Sequence, residues 1–255
     1  MSVQPPYPGV HIEELPSGTH TITGVATSIT AFIGRALCGP VNLSVPITSY
    51  SDYERIFGGL WIDSTMSYAV RDFYNNGGSQ ATIVRLTRNA TTAAITLVAG
   101  IGSPPGSLVL LANSPGAWGS ALSASVNYST QDPTAAPLSP PDASVQTSFN
   151  LVIYESGTQV EQFLNVTLNP ADIKFLPRVL AQSSSYVAIG KDGLGNWILP
   201  SSIPLETSNP VAASSGLDGD TLTSAEYLGN ELKKEGLFAF KTPALFNLLC
   251  IPPPV

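Results

Sequence analysis

Charge is scarce in this chain. Asp, Glu, Lys and Arg supply only 11% of its 255 residues, well under the usual quarter. Long solvated helices are built from those residues, so few such helices are expected. Basic residues are rarer than acidic ones, 11 against 18, and the net charge is −7. A nucleic-acid interface neutralises phosphates with clustered Lys and Arg, so this function class fits poorly. No apolar run of about 18 residues occurs, and no insertion into a membrane is expected. The opening MSVQPPYPGV has no basic stretch followed by an apolar core. It is not read as a secretory leader, and a cytoplasmic origin is expected.

Reactive side chains are also few. The two cysteines, Cys38 and Cys250, sit among apolar residues. They are expected to be reduced, buried thiols rather than a disulfide framework. His11 and His20 are nine apart and belong to no HExxH pattern, so no metal site is expected. Gly100-Ile101-Gly102-Ser103-Pro104-Pro105-Gly106 misses the dinucleotide-loop spacing by one residue and carries prolines where a helix would start; it reads as a turn. Asp218-Gly219-Asp220 lacks the later Gly and Glu of a calcium loop and reads as a solvated return loop. No GxSxG elbow is present. Catalytic residues and cofactors are therefore expected to be absent, and the chain is not read as an enzyme.

What is abundant is Gly and Pro, 22 of each, set among Ser, Thr and apolar residues. This is a strand-and-loop composition. The stretch that organises it is STMSYAVRDFYNNGGSQATIVRL, residues 64–86. Met66, Ala69, Val70 and Phe73 follow the helical i, i+3, i+4, i+7 spacing. Ser64 is placed to cap the start, and Gly77 to end the helix with positive φ. Ala81-Thr82-Ile83-Val84 then reads as a strand covered on both faces.

Around this unit, residues 24–35 read as a strand with Ile29, Ala31 and Ile33 on one face. Val45-Pro46-Ile47 leads to Ser51-Asp52-Tyr53-Glu54, read as a capping box that opens a short helix ending at Gly58-Gly59. Residues 91–215 change style. Candidate strands lie at 95–98, 108–112, 122–128, 149–155, 160–166 and 186–189. Glu155-Ser156-Gly157-Thr158 is a hairpin signal. A short helix is expected over 170–181, interrupted or kinked by Pro177. Residues 216–255 return to the first style. Thr223-Ser224-Ala225-Glu226 is a capping box, opening a helix through Leu232 and Lys233 that closes near Gly236. The apolar run from Phe246 to Ile251 is read as a central parallel strand.

The expected fold is thus an α/β core, a sheet with covering helices, interrupted by an inserted β-rich domain and preceded by an extended N-terminal arm. The divisions are 1–23 for the arm, 24–90 for the first part of the core, 91–215 for the insertion and 216–255 for the core's return. The arm, Tyr7-Pro8-Gly9-Val10-His11-Ile12-Glu13-Glu14, is broken by prolines and has little to bury by itself. Strand addition to a neighbouring chain would satisfy its backbone. Arg71 and Asp72, on the polar face of the 64–76 helix, are candidate lattice contacts.

The arm with Pro16-Ser17-Gly18 resembles the start of contractile tail sheath proteins of myophages, pyocin-like particles and extracellular contractile injection systems. The similarity continues through Thr30-Ala31-Phe32-Ile33-Gly34-Arg35, Gly39-Pro40-Val41-Asn42, Ile47-Thr48-Ser49-Tyr50, Phe57-Gly58-Gly59 and Tyr68-Ala69-Val70-Arg71-Asp72-Phe73. It includes Gly77-Gly78-Ser79-Gln80-Ala81, Ser114-Pro115-Gly116-Ala117-Trp118-Gly119 and Leu245-Phe246-Asn247-Leu248-Leu249-Cys250-Ile251-Pro252. About 130–215 shows no such match. The resemblance implies a structural polymer of stacked hexameric rings, six-fold and helical, around an inner tube protein, with baseplate and cap proteins at its ends. It implies contraction that drives the tube through an envelope, and a final place in a phage tail or tail-like particle. The C-terminal half of the family core is expected to be missing from this sequence. A non-contracting sheath-like cap, or a cell-binding tail protein, is the alternative.

Overall fold

The structure, a computed structural model, describes residues 29–100, 106–130, 147–241 and 245–253. The first sheet holds β1 (Ile29–Gly34), β2 (Ser44–Ile47), β3 (Gln80–Arg85) and, from the far end of the chain, β11 (Leu248–Cys250). Their spatial order is β11-β1-β3-β2. β1 is parallel to both β3 and β11, while β2 is antiparallel to β3.

Helices α1 (Tyr50–Phe57) and α2 (Thr65–Asn75) cover one face. Tyr53, Phe57, Met66 and Val70 are buried there with Phe32, Ile47, Ala81 and Ile83. Each apolar side chain so buried contributes roughly 1.5–3 kcal/mol. On the other face Ala31, Ile33, Val84 and Leu86 pack with Leu222, Ala239 and Phe240. Successive strand residues point to opposite faces, so a sheet covered on both sides needs apolar residues at every position. That accounts for the unbroken apolar reading of β1 and β3.

Ser64 caps α2 by accepting from Ser67 N, and Gly77 follows the helix with φ 86°. The Ser64 hydroxyl also donates to the Arg35 carbonyl, tying the helix start to the end of β1. The cap of α1 differs from expectation. Ser49, not Ser51, is the N-cap and accepts from Asp52 N at 3.1 Å. Asp52 in turn accepts from Thr48 N and Thr48 Oγ1, so the reciprocal pair starts two residues earlier. Val45-Pro46-Ile47 is itself a strand residue run within β2 rather than a lead-in loop.

After β3 the chain runs through two antiparallel sheets before it returns. One contains β4 (Ala94–Ala99), β5 (Gly106–Ala112) and β9 (Val187–Ile189), in that order. The other contains β6 (Leu122–Asn127), β7 (Ser148–Glu155), β8 (Thr158–Thr167) and β10 (Val211–Ala212), ordered β10-β6-β7-β8. The two share one core, with Ile95, Leu97, Leu108 and Leu110 meeting Leu122, Val126, Phe149 and Leu151. Alternating burial along β4 and β6 marks strands with one wet face. β7 and β8 are joined by Ser156 (φ 48°) and Gly157 (φ 80°), the two-residue turn whose twist suits a hairpin.

Several expectations are corrected. α3 (Leu176–Ser183) starts later than residue 170 and is not kinked: Pro177 stands in its first turn, where no N–H is needed. α4 (Ser224–Leu228) has the Thr223–Glu226 capping box but stops at Gly229, φ 67°. Asn230 Oδ1 then accepts from Leu232 N and Lys233 N, an alternative to helical bonding that ends the element. Residues Gly236–Lys241 form a 3-10 turn. Among the described residues β11 lies at the rim of its sheet, not at the centre. Cys38 and Cys250 are free thiols, each only half-buried.

Candidate assembly surfaces and the junction between the sheets

The arm residues Tyr7, Pro8, Gly9, Val10, His11, Ile12, Glu13 and Glu14 lie outside the described residues. Arg71 and Asp72 are described and bind each other: Arg71 Nη2 and Nε donate to Asp72 Oδ1 at 2.9 and 3.1 Å. The guanidinium also lies 5.4 Å from the Tyr68 ring centroid. A solvent-exposed pair of this kind contributes at most about 1 kcal/mol. The pair therefore leaves both residues free to exchange partners.

The sheet rims are a more informative surface. A rim strand presents unpaired N–H and C=O groups, and proteins guard these with bulges, charge, proline, shortness or a covering chain. β2 carries Pro46. β4 is covered: Ala94 N donates to Ser214 O and Leu205 N to Val98 O, at 2.9 and 2.8 Å. β9 and β10 are only three and two residues long. β8 carries register irregularities at two places. The Lys174 ammonium donates to the Leu164 carbonyl at 3.2 Å, and Thr167 N donates to Lys174 O at 3.0 Å. β11 is as short as β9 and is followed by Pro252 and Pro253, but among the described residues it carries no charge, bulge or covering chain. Among the described residues it pairs only with β1. Leu248, Leu249 and Ile251 are 55, 44 and 48% exposed.

The junction between the α/β part and the β-rich part is built on Arg85, the last residue of β3 and only 2% exposed. Its guanidinium donates from Nε to Ala36 O (2.9 Å) and from Nη1 to Gly39 O (2.7 Å). Nη2 donates to Leu37 O (3.3 Å) and Pro115 O (2.8 Å). All four acceptors are main-chain carbonyls. Burial pulls its pKa down to about 10, so it stays charged at neutral pH. Beside it, Gly39 N donates to Ser114 Oγ at 3.0 Å, and Ala117 N to Asp218 Oδ1 at 2.7 Å. Arg35 Nη2 reaches Asp218 O at 3.4 Å. Asn89 Nδ2 donates to Asp220 Oδ2 at 2.7 Å. The Asp218-Gly219-Asp220 loop is thus part of the junction rather than a purely solvated return.

No three or more His, Cys, Asp or Glu side chains gather as metal ligands among the described residues. No helix there is long and apolar enough to cross a membrane. Burial raises the Cys38 thiol above its ordinary value, which disfavours the nucleophilic thiolate. Sequence reasoning passed over Arg85, although a single arginine closing the apolar run ATIV before Leu86 is a visible signal. It quoted Ser114 to Gly119 only as a resemblance; those residues meet Arg85 and Asp218.

The fold is a two-sided, mainly parallel α/β sheet whose chain path is interrupted by two antiparallel sheets. No family model matches the chain. No curated protein matches it either. Among solved structures it is similar to a sheath tail protein from Listeria innocua, at a TM-score of 0.48 and 15% identity, covering 77% of this chain and 36% of that one. It is also similar to a sheath tail protein from Desulfitobacterium hafniense, at 0.48 and 15%, covering 83% and 40%. The chain thus spans well under half the length of either protein.

Proposed function

We propose that this chain is a structural subunit of a contractile tail sheath. In this reading it polymerises with copies of itself as stacked hexameric rings around an inner tube, and baseplate and cap proteins terminate the polymer. Residues 24–90 and 216–255 are core, 91–215 an outer insertion, and 1–23 an arm that adds a strand to a neighbouring subunit. The observation that carries the reading is the rim of β11, where Leu248, Leu249 and Ile251 are exposed and where, among the described residues, β1 is the one paired strand. Such an edge is a template for another strand. The resemblance of the arm and core segments to sheath proteins names the polymer to which that strand would belong.

The role is structural rather than enzymatic. Work would come from two lattice states that keep the arm pairings and bury different surfaces between subunits. A free-energy gap of about 5.5 kcal/mol takes a two-state unit from 1:99 to 99:1. A few kcal/mol per subunit, summed over a coupled polymer, is ample. Electron microscopy of the purified protein tests the proposal: tubes or rings of six-fold symmetry are expected, and monodisperse single chains under all assembly conditions would refute it. Deleting residues 1–20 should abolish the polymer while the 29–86 segment keeps its fold. Normal-length polymers from that variant would refute the arm's role.

A further inference from the structure

Two chain crossings join the α/β part to the β-rich part, and they run side by side. Thr91 N donates to Leu217 O and Leu217 N to Thr91 O, at 3.0 and 3.2 Å, and Asp220 N donates to Arg88 O at 2.8 Å. A two-stranded ribbon of this kind is a natural hinge, and relative motion is the default for parts joined so simply. A third contact lies off the ribbon. The 114–119 turn, which links β5 to β6, meets Arg85 of β3 through Pro115 O and the 36–39 loop after β1 through Ser114 Oγ.

We propose that Arg85 and the 114–119 turn form a lock that converts this hinge into a fixed mount, holding the β-rich part in one orientation on the α/β sheet. The guanidinium is suited to it. Three of its bonds fix the 36–39 loop, and the remaining reach of Nη2 takes Pro115 O from the other part. A planar fork serves several acceptors at once, which the point charge of lysine does not. The turn is wedged as well as bonded. Gly116 has φ 141°, and a Cβ there would come within 2.8 Å of Trp118 Cδ1 and 3.1 Å of Leu37 O. A Cβ on Gly216 would come within 2.6 Å of Gly116 O. On its ribbon side the turn is held by Gly116 N donating to Thr91 O and by Asp218 Oδ1. Each part has its own apolar core, and the side-chain bonds of Arg85 go only to main-chain carbonyls, so the lock acts on orientation. The inference concerns the single chain and does not depend on the assembly proposal.

Residual dipolar couplings on the unassembled full chain test it. In the unaltered protein, amides of β1 and β3 should share one alignment tensor with amides of β6 and β7. In Arg85→Met the two sets should diverge, the weaker falling by roughly a third or more as inter-part order is lost. Arg85→Lys should behave like Arg85→Met, since charge alone does not make the fork. If Arg85→Met fails to fold, Gly116→Ala gives the reading from the other side, leaving the 36–39 carbonyls paired. One shared tensor in a folded variant with merely lowered melting temperature would overturn the lock, as would two tensors in the unaltered chain.

Discussion

β8 and β11 each lie at the rim of a sheet, and they present opposite surfaces to whatever comes near. β8 is ten residues long and would be the more dangerous edge. It is bent by register irregularities, and an ammonium occupies one of its carbonyls. β11 is three residues long, parallel to β1, apolar and paired with no other strand among the described residues. The contrast teaches that the two rims differ in charge and regularity as well as in length. β8 is blocked by bulges and charge, whereas β11 is limited only by its length and the prolines after it. Under the proposed function, β11 is the edge at which a partner strand would add.

The comparison can be broken from either side. The largest effect is expected from guarding β11. Leu248→Lys with Ile251→Lys should eliminate polymers in electron micrographs while changing chain stability by no more than about 0.5 kcal/mol per site, as for other exposed positions. Polymers of normal length would mean that this rim takes no partner. Stripping the guard from β8 is the converse. Lys174→Ala frees the Leu164 carbonyl beside Ile173, which is 87% exposed. Sedimentation should then show concentration-dependent dimers, with stability again within about 0.5 kcal/mol. Pro46→Thr on β2 should lower stability by about 0.4–1 kcal/mol through a freer unfolded chain, read from urea midpoints. It should also raise self-association slightly.

The smallest effect concerns how β2 is held to α1. The Arg55 guanidinium and then the Thr48 amide and hydroxyl hold Asp52 down to about 2, from 3.8. A depressed carboxylate stabilises the fold fully above its unfolded value and loses that contribution as pH falls through the folded one. Melting temperatures of the unaltered protein should therefore drop between about pH 5 and about 2, and Asp52→Asn should flatten part of that drop. An unchanged slope would show that the bonds from Arg55 and Thr48 to Asp52 do not contribute.

Legibility in the sequence followed the range of the forces involved. The α2–β3 unit was readable because its periodicity, its Ser64 cap and its Gly77 stop are local. So was the Ser156-Gly157 turn. The α1 cap was misplaced by two residues because Ser49 and Ser51 both offer a hydroxyl, and only the return of Asp52 onto Thr48 decides between them. β11 reads as central from its apolar run, yet rim or centre is set by neighbours that residues 246–251 do not specify. Arg85 was missed for a similar reason. Its partners at 36–39 and 115 are brought to it only by the finished chain path. The arm and the Arg71–Asp72 pair are read as contacts with other chains; the arm lies outside the described residues, and the pair bonds to itself.

The hairpin tip between β7 and β8 has a practical consequence. A Cβ added at Gly157 would meet nothing within 4 Å, while Glu155 and Thr158 stay paired across the ladder on either side. A short epitope or fluorophore-binding peptide spliced in after Gly157 would sit at the end of a sheet, on a turn that β6 supports through its pairing with β7. The protein therefore offers a ready attachment point for labelling or display that spares both β11 and the Arg85 junction.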